Sequence, residues 1–338
     1  MKYYKQTPKS GMVIYSMITD KKKVALVGTG MVGMSYAYAL LNRGVCDELI
    51  LIDINRERAK GEAMDLQHGL AFAPTSMKIY AGEYSDCSDA DIVVICAGVA
   101  QKNGESRLDL LQRNADVFRT IVEPVIKSGF NGIFLIATNP VDIMTRIVYE
   151  LSGFPSFKII GSGTTLDTAR LRYLIGNYYH LDAKNVHAYV IGEHGDSEFV
   201  PWSQAMLATK PIFEICKKRG ETEIRKMNEI SEEVRTSAQI IISAKKATYY
   251  GIGMALVRIT NAIFGDENSV LTVSAFLNGE YNEKNIFAGV PSIVNRSGVR
   301  TILELGLSEN EYKKFHNSCE TLRQSYNELK LTCYSRTD

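Results

Sequence analysis

The chain has 338 residues, 45% of them hydrophobic and 23% charged, and a formal net charge of +1. That composition excludes a disordered chain and calls for one large domain or two closely joined ones. The near-neutral balance excludes a bulk electrostatic grip on nucleic acid or an anionic membrane, so a charged ligand must be held by local groups.

Residues 12–18 form a short apolar run followed by Thr19-Asp20-Lys21-Lys22-Lys23 rather than a small-residue cleavage site. Residues 1–21 therefore read as an N-terminal extension, not a secretory leader. From residue 22 onward, short β-branched runs at 24–27, 49–53, 91–96 and 132–137 read as strands buried on both faces. Amphipathic segments at 31–43, 56–67, 108–127 and 141–151 read as the helices between and after them. This alternation predicts an α/β domain over 22–162, a Rossmann-type parallel sheet wound on both sides.

The second half changes character. A strand is expected at 157–160, a helix at 166–178, a strand at 186–191 and a long helix over 221–246. Apolar runs across 268–295 flank Asn278-Gly279, which predicts a tight hairpin turn. A last amphipathic helix covers 308–329. Residues 163–338 are thus expected to form an α+β substrate domain, packed intimately on the first because no linker separates them. Six cysteines are scattered without a C-x-x-C pair, which fits neither a zinc site nor a disulfide framework and points to a reducing cytoplasm. No metal site is expected, and no stretch reaches the ~20 apolar residues of a membrane span.

Gly28-Thr29-Gly30-Met31-Val32-Gly33 follows the first strand and opens a helix. The glycines permit a tight turn, approach of a pyrophosphate and close helix–strand packing, and the helix N-terminus offers free N–H groups to phosphate. Alone the motif is weak. Asp53, 20 residues after Gly33 at the end of the second strand, strengthens it. A carboxylate there accepts from ribose hydroxyls and repels a 2′-phosphate, so NAD is expected over NADP.

Among five histidines, His194 stands in Gly192-Glu193-His194-Gly195-Asp196, just past a buried strand. Asp167 and Arg170 lie three apart on one helical face. A lone histidine is more often structural than catalytic, and an acid and a base at that spacing are usually a surface ion pair. Spacing alone decides neither.

From about residue 22 to 329 the chain resembles the L-lactate dehydrogenases of the lactate/malate dehydrogenase family, of the bacterial type activated by fructose 1,6-bisphosphate. The resemblance rests on the segments 28–33, 61–69, 104–107, 137–142, 166–170 and 192–196, in that order and spacing. It implies that His194 is the acid/base, with Asp167 fixing its tautomer and Arg170 forking onto the substrate carboxylate. It places Asn139 on the reacting oxygen, Thr248 along the substrate pocket, and Arg107 on a mobile lid over 99–107 that polarises the carbonyl. It adds Arg58, Tyr84, Gly98, Val99, Thr138, Asn139 and Ser162 to the cofactor contacts.

Gln101 stands where related malate dehydrogenases resemble an arginine, and a neutral side chain cannot compensate a second substrate carboxylate. Pyruvate and L-lactate are therefore the expected substrate pair, with malate or a broader range of 2-hydroxy acids as the alternative. Arg172 and His187 match a bisphosphate activation site across a subunit interface, which implies a homotetramer. Lys246 departs from the family pattern, which resembles glycine there. An NAD-dependent glycosidase would need a metal, and an NAD-sensing module would not need His194, Asp167, Arg107 and Arg170 together.

Overall fold

The computed structural model describes residues 21–99 and 106–329, and the backbone alone of 3–6, 14–17 and Arg107. Strands β1 (Tyr3–Gln6) and β2 (Ile14–Met17) pair as an antiparallel ribbon. The first half then runs β3 (Lys23–Val27), α1 (Met31–Arg43), β4 (Glu48–Ile52), α2 (Arg56–Gly69), β5 (Lys78–Ala81), β6 (Ile92–Ile95), α3 (Arg107–Lys127), β7 (Ile133–Ile136), α4 (Val141–Ser152) and β8 (Ile159–Gly161). The second half runs α5 (Thr165–Tyr179), β9 (Val186–His187), β10 (Met206–Leu207), β11 (Lys210–Pro211), α6 (Ile212–Arg219), α7 (Glu221–Lys245), α8 (Tyr250–Phe264), β12 (Ser269–Asn278), β13 (Lys284–Asn295), β14 (Gly298–Ile302) and α9 (Glu309–Asn327).

Strands β8-β7-β6-β3-β4-β5 lie side by side in that order, every pair parallel. This is the doubly wound dinucleotide-binding arrangement, whose strand order reverses between β3 and β6. Strands β3, β4, β6 and β7 are buried at every position, which is why they read as unbroken apolar runs. The sheet does not stop at the first half. β12 meets β8 antiparallel at Ser274 and Gly161, and β13 and β14 extend the same sheet to nine strands.

Helix α8, absent from the sequence expectations, packs its apolar face on α1, where the Tyr36 and Thr260 hydroxyls are hydrogen-bonded at 2.8 Å. A second core gathers Leu171, Ile175, Val186, Val190, Met227 and Ile230 between α5, α7 and the segment after β9.

Two local expectations need correction. The strand at 186–191 is interrupted: Val186–His187 pair with β10, and Ile191 pairs again with Phe199. Between the two pairings, Val190 donates its N–H to Thr168 Oγ1 (2.9 Å) and accepts from Thr164 Oγ1 (2.6 Å), so side chains of the α5 segment take the place of a partner strand there. The hairpin at Asn278-Gly279 is not a two-residue turn, because β12 ends at Asn278 and β13 begins at Lys284. Tyr281 anchors the longer loop. It is buried, its hydroxyl donates to Leu303 O and accepts from Leu305 N, and its N–H donates to Glu304.

Candidate active site

The turn after β3 and the ends of β4 and β6 build one wall of the site. Gly28 sits at φ +100°, and a Cβ there would lie 2.5 Å from Ala97 N. At Gly33 a Cβ would collide with the Gly28 carbonyl, so helix and turn touch only because both residues are glycine. A Cβ at Gly30 meets nothing within 4 Å, and no side chain caps the N-terminus of α1 there. The first N–H groups of α1, at Met31 and Val32, therefore face open space that a pyrophosphate fits.

At the end of β4, Asp53 accepts from Thr29 N (2.8 Å), Thr29 Oγ1 (2.9 Å) and Asn55 N (2.9 Å). Burial raises its pKa, but these bonds and the nearby Arg58 charge prevail, so its carboxylate is held below the usual range. Tyr84 is half-buried close enough to feel the Asp53 charge. Farther along the sheet edge, Val99 N donates to Asn114 Oδ1 (2.9 Å), Thr138 Oγ1 donates to Ala97 O (2.7 Å), and the Thr138 side chain closes over Gly98. Ser162, buried, donates its N–H to Ile136 O at 2.8 Å.

The second wall is a cleft of 880 Å³ lined by Asn139, Asp167, Arg170, His194, Glu198 and the α7 residues Arg235, Thr236 and Gln239, among others. Asp167 stands in the first turn of α5, where the helix dipole favours an anion, and Arg170 follows one turn later. His194 Nδ1 meets Asp167 Oδ2 at 2.7 Å, and Arg170 Nη1 donates to Asp167 Oδ1 at 2.7 Å. Asp167, 2% exposed, is thus bonded through both carboxylate oxygens to cationic or proton-bearing partners.

Burial alone would lower the pKa of His194. The Asp167 charge and hydrogen bond, with smaller contributions from Glu198 and Asp142, outweigh it and raise the value to about 9. Burial pushes Asp167 up, but the His194 and Arg170 partners hold it below the ordinary carboxylate value. Since Nδ1 is engaged, Nε2 is the ring nitrogen left for chemistry.

The loop carrying His194 is pinned from three sides. Gly192 and Gly289 of β13 exchange both backbone hydrogen bonds (2.9 and 2.8 Å). Ser318 of α9 accepts from Glu193 N at 2.7 Å, and its hydroxyl lies 2.8 Å from that of Ser197. Asp142 of α4 accepts from His194 N at 2.8 Å. Its other oxygen, Oδ1, is buried beside the Ser274 hydroxyl, and neither atom makes a well-formed hydrogen bond. Burial raises Asp142 to about 6, against the opposing effects of Ser274 and the His194 N–H.

The sequence and the fold are matched by known relatives. The profile of the lactate/malate dehydrogenase NAD binding domain matches residues 22–161, and that of the family's alpha/beta C-terminal domain matches 164–331. The chain belongs to the lactate/malate dehydrogenase family. An L-lactate dehydrogenase of Geobacillus sp. strain WCH70 is 54% identical over 301 residues, 89% of this chain and 94% of that one. An L-lactate dehydrogenase of Oceanobacillus iheyensis is 53% identical, covering 90% and 95%. The crystal structure of the ligand-bound minor L-lactate dehydrogenase from Enterococcus mundtii has TM-score 0.91 and 47% identity, covering 93% of this chain and all (100%) of that one. A lactate dehydrogenase from a Medee basin deep-sea metagenome library has TM-score 0.89 and 52% identity, covering 91% and 98%.

Within this lactate/malate dehydrogenase fold, the residues expected from sequence fall into three groups. Asp53, Arg58, Tyr84 and the glycine turn converge on the dinucleotide wall, and Asn139, Asp167, Arg170 and His194 on the cleft. Gln101 lies outside the described residues, and of Arg107 only the backbone is described, at the first position of α3 behind the Ser106 cap. Thr248 is half-buried between α7 and α8, and does not line the cleft as described. Away from the site, the Arg172 Nε donates to Ala188 O at 3.1 Å and its guanidinium lies over the Tyr189 ring, while the neighbouring His187 is exposed. Lys246 caps α7 at φ 74°, the left-handed conformation that a glycine adopts without penalty.

Sequence reasoning missed Asp142, Glu198, Ser318 and the cleft-facing side of α7. Only Asp142 carried a signal, as the last residue of the motif 137–142. The described cysteines Cys46, Cys87, Cys96, Cys216 and Cys319 are free, and no helix among the described residues is long and apolar enough to cross a membrane.

Proposed function

We propose that this chain is an NAD-dependent L-lactate dehydrogenase that reduces pyruvate to L-lactate reversibly. The observation that carries the reading is the 2.7 Å pairing of His194 Nδ1 with a buried Asp167 at the edge of a cleft that Arg170 also lines. The turn at 28–33 and Asp53 would hold NADH, which would supply the hydride. His194 gives the Nε2 proton to the carbonyl oxygen of pyruvate and takes it back from lactate. Asp167 stabilises the imidazolium between those events. The Arg170 guanidinium, tied to Asp167 through Nη1, presents the substrate carboxylate with a planar fork. Asn139 orients the reacting oxygen, and Arg107 polarises it as charge develops. The neutral Gln101 leaves a second substrate carboxylate uncompensated, which favours the methyl group of pyruvate.

The same reading divides the chain into an extension at 1–21, an NAD domain at 22–162 and a catalytic domain at 163–338, in a cytoplasmic homotetramer. Arg172 and His187 belong to its effector site for fructose 1,6-bisphosphate. Steady-state turnover of pyruvate, oxaloacetate and branched 2-keto acids with NADH tests the substrate. Pyruvate should be preferred, and a preference for oxaloacetate sinks the reading. An unchanged pyruvate half-saturation and rate on adding the bisphosphate removes the effector site alone.

A further inference from the structure

Glu198 lies near the His194 ring, and the mechanism gives it no work. Its side chain is 6% exposed, and its Oε2 lies 3.9 Å from His194 Nδ1, the same ring nitrogen that Asp167 meets at 2.7 Å. One ligand-type atom each of Asp167, His194 and Glu198 falls within a 4.8 Å span. Glu198 also forms the partition between the catalytic cleft and a smaller cavity of 220 Å³ behind it, bounded by Trp202, Asn228 and Ser231.

The surrounding charges are unevenly shared. Asp167 has Arg170 as a bonded cation, and Asp142 is committed to the His194 N–H. Asp196 borders the cleft from the loop, Glu232 and Arg235 face the partition from α7, and Lys314 faces it from α9. Arg235 is held by Glu232 at 2.7 Å. Two carboxylates beside one imidazole cannot ionise with equal ease, and the one with the bonded cation ionises first.

We propose that Glu198 is a positioning residue that stabilises the protonated imidazole of His194 at alkaline pH, and so extends pyruvate reduction upward in pH. The functional half of this statement rests on the lactate dehydrogenase reading above. Burial first, then the Asp167 charge, raises Glu198 to about 8, below the value of about 9 for His194. Glu198 therefore takes up its charge in the alkaline range in which the ring gives up its proton. The charge that appears opposes loss of the ring proton, and the pyruvate-binding form persists into more alkaline solution.

The test compares wild type with Glu198→Gln, which keeps shape and removes the titrating charge. The ring of His194 is followed by NMR in the apoenzyme, its signal among five histidines assigned by its loss in His194→Ala. In Glu198→Gln the His194 titration should move acidward by about one pH unit. The alkaline limb of kcat/KM for pyruvate should move with it, while activity at pH 6 stays within about twofold. Glu198→Asp, which withdraws the charge by one methylene, should shift both in the same direction by less. It replaces the glutamine variant if that one fails to fold. An unmoved His194 titration in the folded variants overturns the proposal. So does an equal loss of activity at every pH. If the ring titration shifts but wild type does not reduce pyruvate, the electrostatic role stands and the substrate reading fails.

Discussion

The backbone N–H of His194 donates to Oδ2 of Asp142 at 2.8 Å, joining the loop at 192–199 to the start of α4 across 52 positions of sequence. The acceptor is a buried carboxyl whose folded pKa stands at about 6, well above its ordinary value.

That elevation sets a sign for stability against pH. Between about pH 4 and 6 the folded state binds a proton at Asp142 that the unfolded state does not, so this residue's contribution falls as pH rises through that window. Asp142→Asn has no proton to bind. Relative to wild type it should gain on the order of 2 kcal/mol between pH 4 and pH 7, read by urea unfolding at fixed protein concentration. Parallel curves for the two proteins would remove Asp142 as the source.

Asp167→Asn should lower kcat/KM for pyruvate by about a hundredfold or more, with NADH affinity nearly unchanged. Asp167 offsets burial and raises the His194 pKa to about 9. Pyruvate reduction by wild type should therefore be retained below about that pH and fall above it. Without the Asp167 charge, burial lowers the ring pKa, and the loss should begin at more acidic pH. Stopped-flow turnover across pH 5 to 10 checks both statements, and a loss of NADH binding instead would assign Asp167 a structural role.

Asp53→Ser removes the charge that would face a 2′-phosphate while leaving a hydroxyl to accept from Thr29. The ratio of kcat/KM for NADH over NADPH should fall at least about tenfold, equivalent to 1.4 kcal/mol. An unchanged ratio would mean that Asp53 serves the Thr29–Asn55 turn and not the ribose.

Lys246→Gly relieves a non-glycine residue at φ 74° on the end of α7. It should stabilise the protein by about 1 kcal/mol, raising Tm by roughly 2 °C, with little change in pyruvate KM. A lower Tm would show that the exposed lysine makes a contact worth more than the backbone strain.

The parallel half was legible because its strands are buried on both faces and its glycine turn has a mechanical reason at each position. Asp167, Arg170 and His194 were legible as residue types at suitable places, although nothing in their spacing brings α5 to the loop at 192–199. That meeting depends on Thr164 and Thr168, whose hydroxyls hold Val190 and so set the path into Gly192. Helix α8 was hidden because Gly251, Gly253 and the β-branched Val257, Ile259 and Thr260 weaken its local helix preference, and its place is set by packing on α1. Glu198 and Ser318 gave no sign, since one is an ordinary acid in a loop and the other an ordinary serine in a helix. Their significance is purely spatial.

The hold of Ser318 on the catalytic loop bears on biosynthesis. The hydroxyl that fixes Glu193 and Ser197 arrives on the last described helix, more than a hundred residues after the loop it secures, at sequence separations of 125 and 121. A ribosome can complete the dinucleotide wall, α5 and even His194 itself while the loop still lacks this one of its three fastenings. In chains ending before α9, Glu193 and Ser197 lack their Ser318 partner, and the loop gains that hold only as α9 docks.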